Sequence, residues 1–264
     1  MTKNFNLSIK RKNTIAKILK EKGEISVSEL VNKFSVSEVT IRRYLRDLER
    51  KGILLRTYGG AVKREDTIPA EFFFGEKSKR NINEKKRIAS LSVKLIQNGQ
   101  IIFLDTGTTT LEISKFLVKE EKKVMVVTNS IPIAYELAST KYIKVFILSG
   151  FFRKELFDLF GPFSIPEIEK FSFNQSFLGV DGISSKVGLT TTDLITAQIE
   201  EAVMDRSEVI NIVADFSKIG RISFIPYGNI KNRRVIKRLI TDSSASKDEI
   251  RKLKEYGFEI KIAL

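Results

Sequence analysis

The chain has 264 residues, with 46 Lys+Arg against 32 Asp+Glu for a formal charge of +14, and it contains no His, Cys or Trp. Without cysteine there is no disulfide framework, thiolate nucleophile or zinc–sulfur site. Without histidine there is no Ser-His-Asp or Cys-His machinery and no facial-triad iron, so only an all-carboxylate Mg²⁺ or Ca²⁺ site stays open.

A chain of this length suits one large domain, or a small domain joined to a mid-sized one, and 42% apolar residues supply a core. The charge is uneven: residues 1–66 carry a net +8, and the remaining residues +6 over three times the length. A basic head points to a polyanion, nucleic acid ahead of a membrane surface. Met1 to Lys12 has no apolar run of signal-peptide length, and Ile101–Leu104 and Val124–Val127 are far too short to span a bilayer. The expectation is a soluble, cytoplasmic protein with no membrane partner and no cofactor.

The head is expected to form three short helices and a hairpin. Ile15, Ile18 and Leu19 recur at helical spacing between Arg11 and Lys22, and Gly23 stops that helix. Ser26 and Glu29 have capping-box spacing ahead of Leu30, Val31 and Phe34. After the short turn Ser35-Val36, Ser37 caps a third helix running to about Lys51, with Gly52 as its left-handed terminator. Residues 53–62 hold two β-prone runs around a glycine turn. From Lys63 to Asn83 the pattern breaks around Pro69, Gly75 and Phe72-Phe73-Phe74, read as a linker whose aromatics dock rather than face water.

The remainder alternates helices and strands. Ile88, Leu91, Leu95 and Ile96 mark a helix ending near Gly99. Strands are expected at 101–104, 124–128, 145–148, 177–180, 209–214, 239–241 and 258–262. Helices are expected at 109–120, 131–139, 164–170, 194–206 and 247–256. Continuous apolar strands with helical crossovers predict a largely parallel, Rossmann-like α/β sheet covered on both faces. The predicted domains are 1–63, a linker at 64–83, and 84–264.

The spacing from Ser26 to Lys51 is that of a helix–turn–helix. On a helical wheel Ile41, Leu45 and Leu48 share the core face. Val39, Arg43, Arg46 and Arg50 point away, with Thr40 and Arg42 on the flanks. Arginine forks onto guanine edges or phosphates, and the Val39 and Thr40 methyls suit thymine methyls. A merely solvated helix ordinarily shows mixed charge on that face. In the larger domain the turn Asp105-Thr106-Gly107-Thr108-Thr109-Thr110 offers N–H groups, hydroxyls and a helix N-terminus to an anion. Other predicted strands end at Thr128-Asn129-Ser130, Ser149-Gly150 followed by Arg153, Asp181-Gly182, and Asp215-Phe216-Ser217-Lys218. Polar strand ends converging on one crevice predict a binding site, with a phosphorylated sugar or polyol as occupant.

These segments are recognisable. Arg11-x₃-Ile15-x₃-Leu19, SVSEVTIRRYL at 35–45 and GILLRTYGGAV at 52–62 resemble the DeoR-type bacterial transcriptional regulators. So do DTGTTT, VVTNS, Gly150-x₂-Arg153-x₇-Gly161-Pro162, FLGVDGIS, GLTTTD and ADFSKIGR, and the likeness runs from about residue 10 to 262. It implies a winged helix–turn–helix head whose residues 37–43, Ser37 included, enter the major groove, with Arg56 and Tyr58 on the wing. It also implies a sensor domain similar in fold to ribose-5-phosphate isomerase. There Asp105, Gly107, Thr108, Thr109, Thr128, Asn129, Asp181 and Lys218 line a sugar-phosphate site. The chain departs from that pattern at Tyr44, where Asp is usual, at Ser149, and at Thr196 and Glu200, where Glu and Lys are common. A carboxylate in place of a cation weakens or redirects phosphate binding unless residues 196–201 face solvent.

Two readings follow. One is a repressor of a sugar-metabolism operon that binds operator DNA as a dimer or tetramer and responds to a phosphorylated sugar. The other is an isomerase-like enzyme with a DNA-binding head, with Asp105 or Asp181 moving the proton and Lys218 as electrophile. Against the second stand the missing histidines and the lack of any closely spaced acid pair in the sequence.

Overall fold

Ser26 accepts a hydrogen bond from the Glu29 N–H while the Glu29 carboxylate accepts one from the Ser26 N–H, so the expected capping box is present. It starts helix α2 (Val27–Phe34), which follows α1 over residues 11–19 and precedes α3 (Glu38–Arg50). In this computed structural model the described residues are 11–19, 24–50, 53–56, 60–63, 74–154, 156–228 and 235–264. Gly23, Lys51, Gly52, Tyr58, Phe72 and Phe73 lie outside them. The chain divides into two compact units, Met1–Pro69 and Ala70–Leu264.

Between α2 and α3, Ser35 turns the chain in the left-handed region at φ 50°. Ser37 accepts from the Thr40 N–H through Oγ, at 3.4 Å, and starts α3. The expected hairpin, β2 (Leu54–Arg56) and β3 (Gly60–Lys63), gains a third antiparallel strand, β1 (Glu24–Ser26), in the order β1-β3-β2. Ile15, Leu19, Leu30, Ile41, Tyr44, Leu45, Leu48 and Leu54 make one core beneath the helices. Gly60 pairs with Ser26, and a Cβ on it would lie 2.1 Å from the Ile25 carbonyl oxygen. Gly60→Ala therefore forces β1 and β3 apart. Thermal unfolding of the head is expected to show a loss of about 1–3 kcal/mol, and an unchanged transition would refute it.

In the second unit, α4 (Phe74–Lys79) forms inside the segment read as linker and is followed by α5 (Ile82–Lys94). Then come β4 (Ile101–Leu104), α6 (Thr108–Lys119), β5 (Met125–Thr128), α7 (Ile131–Leu137) and β6 (Lys144–Ile147). An unexpected hairpin, β7 (Phe151–Arg153) with β8 (Asp158–Phe160), precedes α8 (Ser164–Ile168) and β9 (Phe173–Leu178). Next are β10 (Gly182–Ser184), β11 (Gly188–Thr191), α9 (Leu194–Asp205), β12 (Ser207–Val213) and β13 (Ile225–Tyr227). The unit ends with β14 (Ile236–Asp242), α10 (Lys247–Glu255) and β15 (Glu259–Ala263).

Seven strands form one parallel sheet in the order β15-β14-β12-β9-β4-β5-β6. Side chains alternate across it. Ile102 and Leu104 pack with Ile88, Ile113, Leu117 and Ile133 of α5, α6 and α7. Phe103 packs on the other face with Phe173 and with Ile168, Val203 and Leu253 of α8, α9 and α10. β10, β11 and β13 make a separate antiparallel sheet. From β4 the chain winds outward through β5 and β6, then returns to β9 on the other side of β4. The winding reverses between β4 and β9, and the carboxyl ends of strands at such a reversal are where open α/β sheets bind ligands.

Candidate nucleic-acid interface and effector site

On α3 the core takes Ile41, Tyr44, Leu45 and Leu48. That leaves Ser37, Val39, Arg42, Arg43 and Arg46 exposed, Val39 by 78%, and Thr40 half-buried. Arg42 is drawn back along the helix by Glu38, at 2.8 Å from Nε and 2.5 Å from Nη2. Ser37 and Thr40 hydrogen-bond each other at 3.0 Å. Arg50 closes α3 and Arg56 lies on β2 opposite Ala61; Tyr58 falls outside the described residues. Tyr44 is 4% exposed and fills the head core, with the Lys12 ammonium 5.6 Å and the Arg43 guanidinium 5.9 Å from its ring centre. The departure at Tyr44 is thus absorbed by packing beneath the outward face.

In the larger unit Asp105 and Gly179 stand where β4 and β9 end. The Phe177 carbonyl accepts from the Asp105 N–H at 3.1 Å, and the Asp105 carboxylate accepts from the Gly179 N–H at 3.1 Å. Gly107 is the N-cap residue of α6 and has no side chain to accept from its first N–H groups, which are those of Thr108 and its neighbours. Thr110 closes the turn through Oγ1, donating to the Asp105 and Gly107 carbonyls. Thr109 is buried and Thr108 half-buried. Thr128 is buried at the end of β5 and accepts from the Ser130 N–H. Asn129 donates to Asp158 at 3.4 Å, and its buried Oδ1 has no hydrogen-bond partner among the described residues.

Around Asp181 and Asp215 lies a lysine cluster of which sequence reasoning found one member. Lys85, on α5, is 4% exposed and donates to the Lys77 carbonyl. Burial, with Lys218 and Lys77 adding to it against the attraction of Asp215, brings its ammonium down to about 8. Lys77 of α4 reaches Asp181 at 3.1 Å. Burial alone would raise Asp181, but the Lys77 and Lys218 charges, the Lys77 hydrogen bond and the Thr192 hydroxyl outweigh it and hold the carboxyl well below the usual range. Lys218 follows Asp215 in a 3₁₀ turn. Burial and the Lys77 charge lower its ammonium against the pull of Asp181 and Asp215, and among the described residues no hydrogen bond to it is present. Asn81 donates to Asp215 at 2.9 Å and ties the start of α5 to the same turn.

Gly150 and Arg153 are on or beside the β7–β8 hairpin and hold it together. A Cβ on Gly150 would lie 2.4 Å from the Phe160 carbonyl oxygen. Arg153 grips Asp158 through Nε and Nη2, at 2.8 and 2.6 Å, and Asp193 through Nη1 at 2.8 Å. Burial opposes its charge, but the two carboxylates hold the guanidinium firmly cationic. Ser149 donates through N and Oγ to Glu167, so this departure fastens β6 to α8. Thr196 hydrogen-bonds Asp193 at the start of α9. Glu200 is 2% exposed, against the solvent-facing alternative, and meets Asp105 in a buried acid pair that the sequence did not disclose. Among the described residues no group of acidic side chains is arranged to hold a metal ion, and no helix is long and apolar enough to cross a membrane.

A three-helix winged head with a basic outward helix, joined to a parallel α/β unit that carries a buried lysine cluster, defines a DNA-binding regulator with a sensor domain. The chain belongs to the DeoR family. Residues 11–67 match the DeoR-like helix-turn-helix domain, and residues 80–243 match the DeoR C terminal sensor domain. It is 31% identical to the HTH-type transcriptional regulator GlpR of Haloferax volcanii, over 96% of this chain and 97% of that one. It is 30% identical to the glycerol-3-phosphate regulon repressor of Escherichia coli, over 83% and 86%. Ribose 5-phosphate isomerase A of Methanocaldococcus jannaschii superposes with a TM-score of 0.39 at 20% identity, over 52% of this chain and 54% of that one.

Proposed function

We propose that the protein represses a sugar-metabolism operon by binding its operator as a homo-oligomer, and that a phosphorylated sugar in the crevice changes operator affinity. The observation that carries this reading is the outward face of α3, where Val39, Arg43 and Arg46 stand exposed over a packed core in a DeoR-type head. Ser37, Thr40, Arg42 and Arg50, with Arg56 of β2 and, by the family resemblance, Tyr58, complete the proposed DNA contacts. A major-groove helix reads one half-site, and two heads read a palindrome.

In the crevice, the proposed phosphate contacts are Lys218 and the free N–H groups of Gly107, Thr108 and Thr109 at the start of α6. The sugar hydroxyls are assigned to Asp105, Thr128, Asn129 and Asp181. Gly150 and Arg153 frame the site through the hairpin instead of contacting phosphate. Regulation requires that the sugar phosphate bind two states of the protein with different affinity.

Gel shifts and footprinting on the gene's own promoter test the DNA reading, and no sequence-specific binding at moderate salt would sink it. Arg43→Ala is expected to weaken operator binding by about 1–3 kcal/mol and relax specificity at one base pair. A uniform loss across sequences would place Arg43 on phosphate instead. Turnover assays on pentose and hexose phosphates test the enzyme alternative. Binding without turnover is the expected result for a sensor domain of this family in a chain that has no histidine.

A further inference from the structure

Glu200 lies on the buried face of α9, and its Oε2 has no hydrogen-bond partner among the described residues. Its neighbour Asp105 is equally buried, but there the Gly179 N–H supports a carboxylate. Two ionised carboxyls at this depth repel each other and both lose their water, so one of them keeps a proton. The group without an N–H donor is Glu200. The other groups facing the pair offset it only in part: Asp158 from β8 and Asp181 beyond β9 are acidic, and the buried Tyr227 hydroxyl of β13, which favours a charged Glu200, is outweighed by burial and the Asp105 charge. Arg153 on β7 is already taken by Asp158 and Asp193.

We propose that Glu200 is a positioning residue for the effector site: its carboxylic acid donates a hydrogen bond to the Asp105 carboxylate and holds Asp105 as an acceptor toward the ligand. This rests on the effector reading above. It makes the ligand group opposite Asp105 a donor, a hydroxyl or an ammonium. Burial, and then the Asp105 charge, push Glu200 well above the usual carboxylate range. Burial, helped by the Asp158 charge and opposed by the Gly179 and Thr106 N–H groups, brings Asp105 up to about 7. Folded Glu200 therefore keeps a proton that the unfolded chain has lost. Its contribution to stability is complete below the unfolded value of about 4.3 and declines as pH rises.

Chemical denaturation of the full chain from pH 5 to 8 compares wild type with Glu200→Gln, which keeps a donor and removes the titration. The variant is expected to gain on wild type as pH rises, by about tenfold in the unfolding constant per pH unit. A gap that stays constant overturns the proposal. Titrations at pH 7.5 with ribose 5-phosphate, glucose 6-phosphate, fructose 1-phosphate and inorganic phosphate give the second arm. For a sugar phosphate that binds, Glu200→Gln is expected within about threefold of wild type and Glu200→Ala about tenfold weaker. Equal loss in both variants, or loss in neither, overturns the positioning role. If no probe binds wild type while the pH-dependent gap appears, the effector reading falls and the shared proton stands.

Discussion

Replacing Arg153 with methionine is expected to destabilise the sensor unit by about 3–5 kcal/mol. The guanidinium has five N–H donors, and its bonds to Asp158, Asp193 and Thr196 commit most of them within the fold. Asp158 is 0% exposed, so without Arg153 its charge is stranded in a low-dielectric interior. Burial already raises this carboxyl, and Arg153 is the main force holding it down. The β7–β8 hairpin also loses its tie to the start of α9, where Asp193 caps the helix through the Thr196 N–H.

The pH dependence gives a second readout of the same substitution. Without Arg153, Asp158 rises further and retains a proton that the unfolded chain loses. The deficit of the variant is therefore smallest near pH 5 and grows toward pH 7. The double variant Arg153→Met/Asp158→Leu removes both charges and is expected to recover much of the loss. Equilibrium denaturation followed by circular dichroism measures all three. A stable Arg153→Met protein with weakened sugar-phosphate binding would mean that Arg153 contacts ligand, as the sequence led one to expect.

What the sequence disclosed was mostly local. The Ser26–Glu29 capping box needs only residues three apart, and the parallel strands announce themselves as short apolar runs because both faces of the sheet are covered. β1 was missed because three residues with a charged first member carry little pattern. The β7–β8 hairpin was missed because its aromatics flank a charged pair that makes sense only once Arg153 and Asp158 are seen together. Lys85 left a readable trace: it precedes Ile88 and Ala89 by three and four residues and so falls on the buried face of α5. Lys77 left none, because its partner Asp181 lies far along the chain. Glu200 was marked by its position in the family pattern, but only the sheet reversal between β4 and β9 shows that it faces Asp105.

Replacing Lys218 with methionine is expected to separate binding from folding. In the ligand-free protein its ammonium is lowered by burial and by Lys77, and no hydrogen bond among the described residues compensates it. Removing that charge should leave the fold at least as stable as wild type, since a group retained for function is often a burden on stability. A charge-assisted hydrogen bond to phosphate is worth about 1.5–3 kcal/mol, so sugar-phosphate affinity should fall by about 10- to 150-fold. The pH profile follows from the same cluster. An anion stabilises the charged form of each lysine, and Lys85 in the free protein loses its proton near about 8. Binding above that pH must therefore take up protons, and wild-type affinity should decline as pH rises from 8 to 10. In Lys218→Met the decline should be shallower, because one of the ammonium groups has gone and its repulsion no longer depresses Lys85. Calorimetric titration in buffers of different ionisation enthalpy reads the proton uptake directly. Wild-type affinity in the variant, or an unchanged proton uptake, would remove Lys218 from the phosphate site.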